Sequence, residues 1–138
     1  MEMDLRLAVA ILWMIAIFAG SSIPGKDLGF ITTPDYILHA GEYAVLGGLL
    51  GWWCFFNIGR ASHADKPLFP WACLALSVAI GSAYGALDEL HQGFVSGRCQ
   101  DPRDWVSDTI GCLAGAFLVL FYIYWLRKNN GETNTSGP

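Results

Sequence analysis

Four apolar runs, residues 5–23, 36–58, 70–94 and 105–126, occupy most of this 138-residue chain and restrict what it can become. A helix of about 20 apolar residues (range about 17–25) crosses a hydrocarbon core about 30 Å thick, and every run falls within that range. In lipid a helix satisfies its own backbone N–H and C=O groups, which an open sheet edge cannot do. The expected fold is therefore all-α: an integral membrane four-helix bundle of four transmembrane helices. It forms one domain over residues 1–128, with a flexible tail rich in turn formers over residues 129–138. Only 14% of the residues are charged, against about 25% in soluble domains, and mean hydropathy is +0.40, so composition agrees. A secretory signal peptide competes for the first run, but the MEMDLR before it is acidic where such signals are basic.

The net charge of −4 offers no basic surface, so no nucleic-acid partner is expected and membrane lipids are. Cys54, Cys73, Cys99 and Cys112 stand singly, without the C-x-x-C spacing of a thiolate metal site or a disulfide framework. Cys54, Cys73 and Cys112 read as small apolar fillers within helices, and Cys99 falls in a loop. Arg6, Arg60, Lys66, Arg127 and Lys128 lie toward the side of the termini, against Lys26, Arg98 and Arg103 on the other. That asymmetry puts the N- and C-termini in the cytoplasm of a multi-pass cell-membrane protein. The end of the first helix, the start of the second, the end of the third and the start of the fourth then meet at the extracytoplasmic face. Gly47/Gly51, Gly81/Gly85 and Gly111/Gly115 each give one helix a small-residue notch for close backbone approach.

Polar residues gather at those four ends. His39, Glu42 and Tyr43 stand at i, i+3 and i+4 in the second run and so share a face. The third run ends in LDELHQ, where Asp88 with His91 and Glu89 with Gln92 make the last turn polar. Carboxylates there oppose the helix dipole, which makes Arg98 and Arg103 in the following loop the expected counterions. Asp101 before Pro102 is a helix N-cap signature, with Asp104 in the first turn. Asp108 lies one turn deeper, where capping cannot account for it, and an acid within a spanning segment is by default a site residue. Its candidate partners are Arg98, Arg103, His39 or a bound cation.

The stretches HAGEYAVLG and LDELHQGFVSGRCQDPRDWVSDTIGCLAG resemble the VanZ-like family of small membrane proteins, named for a protein tied to teicoplanin resistance. Glu89, Gln92, Phe94 and Arg98 match its E-x-x-Q-x-F-x-x-x-R pattern. Asp104, Asp108 and Gly111 match the opening of its last helix, His39 and Tyr43 its second-helix motif, and Ser21–Ser22 a serine pair ending the first helix. Ser96 stands where many members have Pro, and Asp108 where many have Asn. The resemblance implies a link to glycopeptide resistance and names no reaction.

Three functional readings follow. One is an enzyme at the outer face acting on a lipid-linked or cell-envelope substrate. In it His39, Glu42, Glu89 and Asp108 are the proton-transfer groups, and Tyr43, Gln92, Arg98 and Arg103 bind the substrate. A divalent cation on Asp88, Glu89, Asp104 and Asp108 is compatible with it. Another is a non-catalytic binding or transport protein for an anionic lipid, a wall precursor or a glycopeptide; transport through so narrow a bundle would call for a homo-oligomer. The third is a packing role, in which the polar cluster only fastens loop to helix.

Overall fold

The structure, a computed structural model, describes residues 4–29, 34–58 and 69–133. Four helices compose it: α1 Leu5–Ser21, α2 Asp35–Ile58, α3 Phe69–Gln92 and α4 Pro102–Thr133. A 3-10 turn, Gly25–Leu28, follows α1, and no strand occurs among the described residues. The ends differ from expectation for local reasons. α1 stops at Ser21, where the Ser22 N–H bonds back to the Phe18 carbonyl at 3.1 Å and Pro24 follows. α4 starts at Pro102, because Asp101 caps it: its Oδ1 accepts the Arg103 N–H at 2.8 Å. At its other end α4 runs to Thr133, so the tail expected from residue 129 is helical before residues 134–138, which lie outside the described residues. The linker 59–68, with Arg60 and Lys66, also lies outside them.

Two helices, Pro70–Gln92 and Pro102–Asn129, are long and apolar enough to cross a membrane; Leu5–Ser21 is apolar but shorter, at 17 residues. α2 is not among them: it carries Asp35, Glu42, Gly47, Gly48, Gly51, Trp52 and Trp53 among its aliphatic residues. The four-span expectation is thus met by composition in two helices.

The centre of the bundle is the α2–α4 contact. Gly111 rests on the Ala40 carbonyl, Gly115 on the Ala44 carbonyl and Gly47 on the Cys112 backbone, positions where any Cβ would collide with the partner helix. Because Ala40 to Ala44 advances in step with Gly111 to Gly115, the two helices run parallel. α3 joins them through Gly81 against Cys112 and Gly85 against Asp108. α1 leans on the outside, donating the Trp13 indole N–H to the Glu42 carbonyl at 2.9 Å and accepting Tyr84 O–H at the Met14 carbonyl at 2.6 Å. Cys54, Cys73 and Cys112 are buried, Cys99 is exposed, and all are free, as the filler reading requires.

Four carboxylates, Asp88, Glu89, Asp104 and Asp108, are buried alongside an apolar core that includes Leu46, Leu50 and Cys112, while Leu87, Leu90, Phe94, Ile110 and Leu118 are exposed. In the most apolar 18-residue window of each of these two spans, 22% and 28% is buried, whereas the core helix of a soluble fold is mostly buried.

Candidate functional site

One end of the bundle collects the end of α1, the start of α2, the end of α3 and the start of α4, as orientation-independent packing of four alternating helices dictates. The chain between α3 and α4 turns sharply there: Arg98 N–H bonds to the Val95 carbonyl at 3.1 Å around Gly97, whose φ of +77° favours glycine. The same loop accepts the Gly25 N–H at the Ser96 carbonyl at 3.1 Å, tying it to the turn after α1.

Beneath this loop lies a buried polar network. His39 Nδ1 and Asp108 Oδ1 are 2.9 Å apart, and Gln92 Nε2 approaches His39 Nε2 at 3.3 Å while donating to Asp88 Oδ2 at 3.1 Å. With the Gln92 amide donating to Nε2, His39 carries its proton on Nδ1 and gives it to Asp108. Ser21 Oγ shares its hydrogen between the Ile17 carbonyl at 3.0 Å and Asp88 Oδ2 at 2.8 Å. Glu89 Oε2 accepts the Asp101 N–H at 3.0 Å. Ser22 donates to the Phe18 carbonyl at 2.7 Å and so receives His91 Nε2–H at 3.0 Å.

Several polar atoms here are left over. Asp88 Oδ1, Glu89 Oε1, Asp108 Oδ2 and the Tyr43 hydroxyl are buried without a hydrogen-bond partner, a state buried polar atoms rarely adopt. Tyr43 stacks below His39 with ring centroids 6.5 Å apart. Asp104 is also buried. His39, Glu89 and Asp104 each present one ligand atom within 4.8 Å of the others, so this trio could hold a metal ion. Asp88 and Asp108 stand beside the trio, engaged by Ser21 and Gln92 in one case and by His39 in the other.

The expected arginine counterions do not enter the cluster. Arg98 reaches Asp35 Oδ2 at 3.3 Å and the Ile23 carbonyl at 3.4 Å, because the Gly97 turn carries it over the ends of α1 and α2. Arg103 is exposed and forms no ion pair among the described residues; its backbone serves the cap instead. Glu42 is exposed although His39 and Tyr43 on neighbouring positions are buried, so the helix-face argument brings two of the three together. Asp35, the first residue of α2, joins the site through Arg98 without any signal in the sequence, and Ser21 stands out in the sequence only through the family resemblance.

Above the network a cavity of about 550 Å³ is lined by Asp35, Tyr36, Arg98, Cys99, Asp101 and Asp104, with backbone from Gly25 and Gly97. Asp104 belongs to both cavity and cluster, and Arg98 supplies the cavity's cation.

No curated protein and no solved structure matches the chain. The sequence model described as VanZ/LLP1 matches residues 7–124, which covers α2 and α3, most of α1 and α4, and every residue of the polar network. The chain therefore belongs to the VanZ/LLP1 family.

Proposed function

We propose that this VanZ/LLP1 protein is a multi-pass membrane enzyme whose four helices all span the bilayer with cytoplasmic termini. Its polar end faces the extracytoplasmic side and acts on a lipid-linked or cell-envelope substrate with an anionic head group. The observation that carries this is the continuity between the Arg98-bearing cavity and the His39–Asp108 pair through Asp104. A guanidinium holds an anionic group, and an imidazole oriented by a carboxylate moves a proton at the reacting atom. His39 is the proton-transfer group, Asp108 orients it, and Glu89 and Asp104 complete the polar floor. The exposed apolar surface over α3 and α4 supports burial in lipid. Family membership supports a link to glycopeptide resistance through such envelope chemistry.

A second reading, a non-catalytic binding protein for an anionic lipid, wall precursor or glycopeptide, draws on one observation. Ser21 bonds to Asp88, and Ser22 gives its hydrogen to the Phe18 carbonyl and faces His91, so neither serine is paired with the His39 imidazole. Incubating the purified protein with labelled polyprenyl-phosphate and phospholipid substrates separates the two. Turnover that disappears in His39→Gln supports the enzyme; saturable binding without product supports the binder.

A further inference from the structure

We propose that His39, Glu89 and Asp104 bind one divalent transition-metal ion, Mn²⁺ or Zn²⁺, with Asp108 and the Asp101 backbone holding the ligands from behind. The inference rests on this trio alone and does not depend on the catalytic reading.

Geometry comes first. The three ligand atoms lie within 4.8 Å of one another. A tetrahedral site with bonds of about 2.1 Å has ligand edges of about 3.4 Å, so modest side-chain rotation closes the trio on an ion. His39, Glu89 and Asp104 are 5%, 8% and 7% exposed; Glu89 Oε1 is buried without a hydrogen-bond partner, and Asp104 faces the cavity. Buried carboxylate oxygens ordinarily find a donor, and a water or a cation would satisfy the Glu89 oxygen that lacks one.

The surroundings already resemble the outer shell of a metal site. A ligating histidine commonly donates its other ring N–H to a carboxylate, which fixes the ring and its tautomer. Here Nδ1 faces Asp108 Oδ1 at 2.9 Å, leaving Nε2 to coordinate. The competing Gln92 contact at Nε2 is long, 3.3 Å, and Gln92 keeps its bond to Asp88 when that contact is released. Glu89 is likewise steadied by the Asp101 N–H at 3.0 Å. Two carboxylates balance a doubly charged ion, and the Arg98 guanidinium is turned to Asp35. An imidazole with two carboxylates and no thiolate favours Mn²⁺ or Zn²⁺ over Ca²⁺ and Mg²⁺, which take oxygen ligands. Because Asp104 also lines the cavity, the ion would be reachable from outside.

The test uses the full chain purified in detergent, stripped with EDTA, reloaded with Mn²⁺ or Zn²⁺ in separate arms and desalted. Elemental analysis is expected to find about one ion per chain in one or both arms. Asp104→Asn and Glu89→Gln should each bind at least tenfold more weakly, while Gly20→Ala, whose added Cβ meets no atom within 4 Å, binds as the wild type does. X-ray absorption of the loaded wild type, which needs no variant to fold, should show nitrogen and oxygen ligands and no sulfur. Less than a tenth of an ion per wild-type chain in both arms, unchanged binding in Asp104→Asn and Glu89→Gln, or sulfur ligation would overturn the proposal.

Discussion

Asp108 shows most plainly what the sequence carried and what it withheld. Its position a full turn inside α4 excluded a capping role and marked it as a site residue. Which of four candidate partners it takes was set by a residue 69 positions away, His39, and depends on how α2 and α4 dock. Arg98 was paired with the acids by proximity in the chain, but the left-handed turn at Gly97 sends it across to Asp35. Two outcomes follow at this scale. Asp108→Ala removes the group that orients His39 and should lower turnover by about 10–100-fold, as loss of such outer partners does, with folded protein still recovered from membranes. Asp35→Asn breaks an ion pair whose acidic partner is half exposed, so it should change unfolding stability by no more than about 1 kcal/mol. It should also tighten binding of an anionic head-group analogue in equilibrium titration, since Arg98 is released toward the cavity.

The helices themselves were the most legible elements, because apolar run length and the Asp101–Pro102 cap are local signals. α4 outran its expected end because Asn, Gly and Thr after Lys128 cost an established helix only fractions of a kcal/mol to about 1 kcal/mol each. The glycine notches were legible as well, though not their partners: Gly111 and Gly115 turn out to seat the Ala40 and Ala44 carbonyls, and Gly85 the Asp108 carboxylate. Gly115→Ala should therefore cost about 1–3 kcal/mol of stability through overpacking against the α2 backbone. Gly20→Ala, with no atom within 4 Å of the added Cβ, serves as the neutral control in the same unfolding assay. Asp101→Ala removes the α4 cap and should cost about 1 kcal/mol.

For the whole molecule, the exposed apolar side chains and the collection of four helix ends at one pole are what support the proposed lipid surroundings and the proposed site at that pole. Cys99 is exposed there and free, and a membrane-impermeant thiol reagent should label it on intact cells. Labelling only after permeabilisation would place the polar end in the cytoplasm. Whether the cluster is built for a ligand or for packing is decided most directly by assaying Glu89→Gln and Asp104→Asn for two quantities together: turnover of a labelled lipid-linked substrate, and the amount of folded protein in the membrane. A ligand site predicts that turnover is lost while folded protein stays at or above the wild-type level, because each change removes a buried charge that the fold alone leaves unpaired. Loss of folded protein in step with turnover would mean that the carboxylates hold the helices together and that no site need be invoked.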